Sequence, residues 1–181
     1  MTNSRKPTVT LHAVASLDGF IARHDNSISW LDTPSDVYER GVAEGSVDEA
    51  GTPVDCFVLG SHTYEHALEI GWPYGDTPTI VVTTRSLPSS RASVEFHAGD
   101  LRHLVHERLA PRFEHIWLVG GADLCQRFLE LGLVDDIRLT IAPILLGDGL
   151  RLFGRGDETR WRLKNAVAYR TGYVELVYAR A

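Results

Sequence analysis

The sequence predicts one α/β domain over residues 1–181, built on a mostly parallel, twisted sheet of about eight strands with four flanking helices. Apolar, β-branched runs alternate along the chain with segments of helical periodicity, an order typical of parallel sheets. From Trp161 onward the chain instead alternates apolar and polar residues with period two and turns at Gly172. This change of period predicts a C-terminal antiparallel hairpin.

Each predicted element has its own local signal. Short apolar runs bounded by glycine, proline or polar residues predict strands, and apolar residues spaced by three and four predict helices. The predicted strands are residues 9–15, 54–59, 79–83, 94–96, 115–119 and 137–142, and two hairpin strands around 161–163 and 173–178. The predicted helices are residues 36–44, residues 62–69, one with Leu101, Leu104, Val105 and Leu109 on one face, and one with Leu124, Phe128 and Leu131 that ends at Gly132. The glycines between 147 and 156 predict a bend before the hairpin.

Composition narrows the classes of function. The formal net charge of −6 argues against nucleic acid as the main partner, because binding phosphates along a duplex needs a basic face. No apolar run approaches the ~20 residues of a membrane span, and no hydrophobic block follows the basic start of the chain. We therefore expect a cytoplasmic protein without a membrane partner. Cys56 and Cys125 lie in apolar runs without CxxC spacing, which predicts buried free thiols.

The most informative segment is the apolar run from His115 to Val119, which ends in Gly120 and Gly121 and leads directly into a helix pattern. Two glycines allow the backbone to turn tightly and to approach a ligand closely, because no Cβ intervenes. The helix start then directs unpaired N–H groups at whatever lies above the turn. This arrangement is either an ordinary tight connection or half of a phosphate-binding site.

A second turn of the same kind favours the phosphate-binding interpretation. Gly60 ends another buried-strand pattern, and Ser61, His62 and Thr63 open the following helix. His62 and Thr63 can donate hydrogen bonds to a pyrophosphate, and Ser61 is either part of the same site or simply the N-cap. Two such turns can clamp a diphosphate from both sides, although the G-x-G-x-x-G fingerprint is absent.

A third strand end, at Thr83, Thr84 and Arg85, places two hydroxyl groups and a guanidinium at one edge. Arginine binds phosphate through two parallel charge-assisted hydrogen bonds. Arg85 is therefore either a determinant of the 2′-phosphate of NADPH or a solvated surface side chain.

One motif suggests different chemistry. His62, Glu65 and His66 match the H-x-x-E-H pattern of certain zinc proteases, so a metal hydrolase is a third functional hypothesis. We do not expect a metal site, because no further glutamate ligand occurs at a convincing spacing and His62 lies at the glycine turn.

The order of these motifs resembles the dihydrofolate reductase-like superfamily. The segments that carry the resemblance are AVASLDG at 13–19, Trp30, VLGSHT at 58–63, TTR at 83–85 and VGGADL at 119–124. The segments SLDG at 16–19, LVDD at 133–136 and APILLGDG at 142–149 resemble its riboflavin branch, the C-terminal reductase domain of the bifunctional deaminase–reductase. The resemblance covers nearly the whole chain and is specific for fold and cofactor rather than for substrate.

The resemblance implies a dihydrofolate reductase-like fold and NADPH as cofactor. The residues implied to bind it are Gly60, Ser61, His62 and Thr63 at one turn, Val119, Gly120, Gly121, Ala122, Asp123 and Leu124 at the other, Thr83, Thr84 and Arg85 at the 2′-phosphate, and Val14 and Ile21 beside the nicotinamide. Two departures matter. Ser61 stands where dihydrofolate reductases usually have arginine, and Asp123 brings a carboxylate next to the proposed diphosphate.

The resemblance also implies candidates for the catalytic residues. Asp36 follows Trp30 in a context similar to the pterin-binding acid of dihydrofolate reductases, with one residue more in between. Asp36 is either that acid or a charge that stabilises the first turn of its helix. Ser16 and Asp18 occupy the loop that lies near the substrate in the riboflavin branch, and Asp18 is alternatively a turn residue.

The function expected from these observations is NADPH-dependent reduction of a small heterocyclic, carbonyl or imine substrate. The aminouracil intermediate of riboflavin synthesis and dihydrofolate are the first substrates to consider. The alternative is a non-catalytic nucleotide-binding or regulatory module. The exposed hairpin and the apolar pair Leu145 and Leu146 also predict a homodimer.

Overall fold

The computed structural model describes residues 6–31, 41, 43, 53–89 and 91–181. The chain divides into two compact units, one of Met1–Leu11 with Pro53–Asp135 and one of His12–Thr52 with Asp136–Ala181. The strands are β1 (Thr8–Ser16), β2 (Phe20–Ala22), β3 (Cys56–Gly60), β4 (Thr79–Val82), β5 (Val94–His97), β6 (His115–Gly120), β7 (Asp136–Ala142), β8 (Leu150–Arg151), β9 (Trp161–Ala168) and β10 (Val174–Arg180). The helices are α1 (Ser61–Glu69), α2 (Leu101–His103, continued by a π-helical segment Leu104–Leu109) and α3 (Ala122–Glu130).

The first unit contains the parallel part of the sheet. Its strands lie in the order β5-β4-β3-β6-β1, and each neighbouring pair is parallel. Apolar residues of β3 and β4, such as Val58 and Ile80, are almost completely buried, which is typical of strands covered on both faces. Helix α3 buries Leu124, Cys125 and Phe128.

The second unit contains the antiparallel part. The second half of β1 belongs to it, and its strand order is β1-β7-β10-β9, with β10 antiparallel to both of its neighbours, β7 and β9. The hydrophobic core of this unit contains two tyrosines and a tryptophan. Its buried members are Trp30, Ala142, Val167, Tyr169 and Tyr173.

The structure confirms the predicted α/β class, the mostly parallel sheet of eight strands and the C-terminal antiparallel hairpin. The four residues predicted to share a helix face, from Leu101 to Leu109, are buried. Cys56 and Cys125 are buried free thiols, as predicted. The predicted helix 36–44 falls almost wholly outside the described residues. That the whole chain forms one domain stays a prediction.

One prediction was wrong in detail. The glycine-rich segment after Gly147 is more than a bend, because β8 lies within it and pairs with β2 in a separate two-stranded sheet. Gly149 allows this pairing, because a Cβ at its φ of +151° would collide with the carbonyl oxygen of Ala22. A close approach of this kind requires glycine.

Candidate active site

Three strand ends of the first unit meet at one edge of the sheet. Strand β3 lies between β4 and β6, and both neighbours are parallel to it. In the register, Gly60 pairs with Val82 and Leu59 pairs with Gly120. Because parallel strands end at the same side of a sheet, the three turns identified in the sequence lie side by side. Ligands of open α/β sheets bind outside such carboxyl ends.

The two glycine turns lie next to each other. A Cβ added to Gly60 would stand 3.6 Å from the Gly121 nitrogen and 3.7 Å from the Gly120 carbonyl oxygen. A Cβ at Gly121 would stand 3.8 Å from Oγ1 of Thr63. Gly120 has φ +128°, which side-chain-bearing residues rarely adopt. The Gly120–Gly121 peptide bond is cis. Side chains at these positions would cover backbone that the glycines leave bare.

Both helices that start at this edge lack a side-chain cap. Gly60 is the N-cap of α1 and Gly121 is the N-cap of α3, and neither glycine has a side chain that could accept from the first N–H groups. This corrects the alternative in which Ser61 is the N-cap, because Ser61 is already the first helical residue. A helix start without such a partner satisfies its N–H groups with solvent or with a ligand.

Buried aromatic packing fixes the position of α1. Tyr64, one turn into the helix, packs edge-to-face against Trp72 and Phe96 at centroid distances of 5.8 and 5.6 Å. Its hydroxyl donates to the Pro88 carbonyl over 2.8 Å. Ala67, three residues further on, is 2% exposed in the same core cluster. The helix start is therefore held rigidly against the strand ends.

Arg85 is already bound by a carboxylate. Its two terminal nitrogens donate to the two oxygens of Glu65 over 2.8 and 2.6 Å. Its backbone N–H donates to Oγ1 of Thr83 over 3.0 Å. Sequence reasoning missed Glu65 as a partner and considered it only within the H-x-x-E-H motif. The sequence carries no signal for this pair, because Arg85 lies twenty positions after Glu65 and no periodicity relates the two.

The histidines of the same motif lie near glutamates of their own helix. Nδ1 of His62 lies 3.8 Å from Glu65, and Nδ1 of His66 lies 3.6 Å from Glu69. Among residues 6–31, 41, 43, 53–89 and 91–181, no group of three histidine, cysteine, aspartate or glutamate side chains is arranged to hold a metal ion. The histidines thus pair with glutamates of their own helix, and the metal hydrolase hypothesis gains no support from their geometry.

The other predicted residues of the Gly-Gly turn divide between core and surface. Val119 packs against the core cluster around Leu59 and Tyr64, and Leu124 is 7% exposed. Asp123 is exposed at the first turn of α3, and Ala122 is half-buried. The side chains of Val119 and Leu124 therefore serve the core, and it is the backbone of this segment that the turn presents.

The Ser16–Gly19 loop of the second unit is organised around the Asp18 carboxylate. One oxygen accepts from Oγ of Ser16 over 2.6 Å and from the Leu146 N–H over 3.1 Å, and the other accepts from the Gly147 N–H over 2.7 Å. These hydrogen bonds, with that from Ser16 the strongest, lower the pKa of Asp18 to about 2. An ionised carboxylate with three donors connects two loops and has no proton to give at neutral pH.

The remaining catalytic and nicotinamide-binding candidates also belong to the second unit. Ser16 is 2% exposed, donates to Asp18 and accepts the Phe20 N–H over 3.0 Å. Val14 packs against the Trp30 core cluster, and Ile21 lies half-buried in β2. Asp36 lies outside the described residues. The roles of these residues toward a cofactor or substrate stay predictions.

Comparison with known proteins decides the family. The family model described as the RibD C-terminal domain matches residues 7–175. The chain belongs to this family. The resemblance identified from the motifs is thereby confirmed. The chain is also 33% identical over 174 residues to the uncharacterised protein YwjB of Bacillus subtilis (strain 168), covering 94% of this chain and 97% of that protein.

Solved structures agree on the fold of this RibD C-terminal domain. A riboflavin biosynthesis protein from Shewanella sp. PV-4 superposes with a TM-score of 0.79 at 24% identity, covering 96% of this chain and 99% of that one. Dihydrofolate reductase from Enterococcus faecalis, complexed with NADP(H), superposes with a TM-score of 0.67 at 16% identity, covering 97% of each chain. At these identities the likeness shows the fold alone. The dihydrofolate reductase-like architecture is thereby confirmed.

No helix in the described ranges of the chain is long and apolar enough to cross a membrane.

Proposed function

We propose that this RibD C-terminal domain protein is an NADPH-dependent reductase of a small heterocyclic, carbonyl or imine substrate. The observation that carries the proposal is the juxtaposition of the two glycine turns, so close that a Cβ added to Gly60 would stand 3.6 Å from the Gly121 nitrogen. Two uncapped helix starts and two bare turns at one edge supply the donors that a diphosphate requires. Membership of a family of reductases supports the same function.

The residues present fit the cofactor. The first N–H groups of α1 and α3 and the Thr63 hydroxyl would hold the diphosphate, with Gly60, Gly120 and Gly121 allowing its close approach. Thr84 and Arg85 would hold the 2′-phosphate at the end of β4. When bound, NADPH supplies a hydride to the substrate. The chain itself binds and orients the cofactor and excludes water from it.

Hydride addition to a C=O or C=N bond also needs a proton or a hydrogen-bond donor at the heteroatom. In our proposal Asp36 is the leading candidate, because the Asp18 carboxylate is ionised and Ser16 uses its hydroxyl within the loop. Ser16 and Asp18 then act by fixing the loop to Leu146 and Gly147. We also propose that the protein forms a homodimer.

One observation favours a second candidate function, a nucleotide-binding module without catalysis. Both catalytic candidates within the described part of the chain, Ser16 and Asp18, are engaged in structural hydrogen bonds. A protein that kept the phosphate site and lost the proton donor would have the same first unit.

Two measurements separate these functions. Titration of the purified protein with NADPH, followed by quenching of its tryptophan fluorescence, tests binding. Oxidation of NADPH is then measured with a panel of carbonyl, imine and heterocyclic compounds that includes the riboflavin-pathway aminouracil and dihydrofolate. Binding with oxidation supports the reductase, and binding without oxidation over the whole panel supports the module. Absence of binding contradicts both.

A further inference from the structure

The ion pair between Arg85 and Glu65 has a consequence for the choice of nucleotide. Arg85 is the cation proposed to meet the 2′-phosphate, yet both of its terminal nitrogens already donate to one carboxylate. An arginine fork that holds a carboxylate with two parallel bonds cannot offer the same edge to a phosphate. The pair also has no net charge, whereas a phosphate monoester carries a charge of about −1.5 to −2 at pH 7.

The geometry around the pair holds it in place. The Arg85 backbone is fixed by its N–H bond to Thr83, at the end of β4. Glu65 belongs to α1, and the buried side chains of Tyr64 and Ala67 fix the position of this helix. His62 lies 3.8 Å from the same carboxylate. Arg85, with its hydrogen bonds as the main cause, lowers the pKa of Glu65, so the carboxylate stays ionised at neutral pH.

The pair is nevertheless able to exchange partners. The side chains of Arg85 and Glu65 are 48% and 37% exposed, so solvent or a ligand reaches both. Exposed pairs of this kind contribute little to stability and are screened by salt. A bound 2′-phosphate therefore has to displace Glu65 from Arg85, or lie beside a carboxylate of like charge. A ribose 2′-hydroxyl has neither cost, because it can donate a hydrogen bond to a carboxylate, as acidic residues do in NAD sites.

We propose that Glu65 is a specificity-determining residue that competes with the 2′-phosphate for Arg85 and so limits the preference of this protein for NADPH over NADH. The inference rests on the proposed dinucleotide site and adds to it a residue that the H-x-x-E-H motif had connected only with metal. The preference for NADPH is the difference between the binding free energies of NADPH and NADH. The Glu65 carboxylate reduces this difference, because it repels the 2′-phosphate.

The test compares dissociation constants for NADPH and NADH in the wild type, Glu65→Gln, Arg85→Gln and the double variant, by fluorescence titration at low salt. Glu65→Gln keeps the size of the side chain and removes its charge. It should raise the ratio of NADPH affinity to NADH affinity about five- to ten-fold, because Arg85 becomes available and like-charge repulsion disappears. Arg85→Gln should lower this ratio. In the Arg85→Gln background, the Glu65→Gln change should then raise the ratio much less.

Glu69→Gln is the matched control, because Glu69 lies one turn further along α1, is 76% exposed and faces His66 instead of Arg85. It should leave the ratio at the wild-type value. The gain in Glu65→Gln should also shrink as salt is raised, since the interaction is exposed. Thermal melting of each variant checks the fold.

The outcomes separate this inference from the proposed function. If the wild type binds neither dinucleotide, the proposed site and the role of Glu65 fall together. If both dinucleotides bind but Glu65→Gln leaves the ratio unchanged, or changes it as Glu69→Gln does, the role of Glu65 is overturned while the dinucleotide site stands. A ratio that Glu65→Gln raises as much in the Arg85→Gln background as in the wild type also overturns it, since Glu65 would then act without Arg85.

Discussion

Two arginine–glutamate pairs of this protein have similar distances and opposite surroundings. Arg138 donates to Glu175 over 2.7 Å in the second unit, with side chains only 13% and 3% exposed. Arg85 donates to Glu65 over 2.6 Å in the first unit, with side chains that are 48% and 37% exposed. A buried pair cannot change partners without leaving a charge in a medium of low polarity, whereas an exposed pair can. Solvent exposure therefore separates a fixed structural pair from one available to a ligand.

A histidine near the buried pair is also shielded from solvent. Burial, and secondarily the charge of Arg138, lower the pKa of His12 to about 4. His12 is thus neutral at physiological pH. No such desolvation dominates at Arg85, where the hydrogen bonds that it donates to Glu65 are the main cause of a raised pKa.

The contrast extends to backbone donors. At the glycine turns of the first unit, the N-cap residues of two helices are glycines, which supply no side-chain acceptor. At the loop of the second unit, the chain provides its own anion, and the Asp18 carboxylate accepts from the N–H groups of Leu146 and Gly147. Where the protein supplies the acceptor, the donors serve the fold. Where it supplies none, they are available to an external anion.

The largest expected effect is the loss of the buried pair. Arg138→Gln leaves the Glu175 carboxylate buried without its cation and should lower the free energy of unfolding by about 3–5 kcal/mol. Arg85→Gln removes the same charge from the exposed pair and should leave stability nearly unchanged. Unfolding in guanidinium chloride compares the two. Replacing both partners, as Arg138→Met with Glu175→Leu, should recover much of the loss, because no charge is then left buried.

Equal losses of stability in Arg138→Gln and Arg85→Gln would contradict the comparison. A double variant no more stable than Arg138→Gln would show that the cost lies in packing and not in an uncompensated charge.

The next largest effect concerns the bare turns. Gly121→Val should weaken NADPH binding at least ~100-fold, or about 2.7 kcal/mol, because the new side chain covers the backbone between the helix starts. Gly121 is a better test position than Gly120. A side chain at Gly120 would strain the backbone, because Gly120 has a positive φ and Gly121 does not. Fluorescence titration measures binding, and circular dichroism confirms the fold. A folded variant that binds like the wild type removes this turn from the site.

A smaller effect is expected at Thr63. Its Oγ1 lies at the junction of the two turns, 3.8 Å from where a Cβ of Gly121 would stand. Thr63→Val keeps the shape and removes the hydroxyl, so NADPH binding should weaken about ten-fold, or 1.4 kcal/mol. Thr77→Val, in the turn after α1, is the matched control and should bind normally. Similar affinities of the two variants would mean that the Thr63 hydroxyl does not contact the cofactor.

The sequence predicts those parts of the candidate site that lie at the end of a single strand. It does not predict contacts between residues that are far apart in the chain. The sequence predicts that the glycine turns at Gly60 and Gly120 bind one diphosphate together, and both turns lie at one edge of the parallel sheet. The pair of Glu65 with Arg85 joins residues twenty positions apart, and no periodicity relates them. Strands β2 and β8 have only three and two residues, too few to show alternation. The two backbone N–H groups that donate to the Asp18 carboxylate lie 128 and 129 positions away, so the turn-like context of Asp18 gave no indication of these contacts.

The smallest expected effect tests the self-supplied anion of the second unit. The pKa of Asp18 is lowered from 3.8 to about 2, chiefly by the Ser16 hydroxyl, so the folded state favours the ionised form. The stabilisation is therefore complete above pH ~4 and is lost as the pH falls toward 2. Asp18→Asn replaces an acceptor by an NH₂ group facing backbone N–H donors, so the melting temperature at pH 7 should fall slightly. The difference from the wild type should narrow in acid, and Asp157→Asn, at an exposed position of the same unit, should show no difference at either pH. If Asp18→Asn has the same melting temperature as the wild type at pH 7, the hydrogen bonds from the Leu146 and Gly147 N–H groups to this carboxylate do not stabilise the fold. The contrast drawn between these backbone donors and those of the glycine turns would then be contradicted.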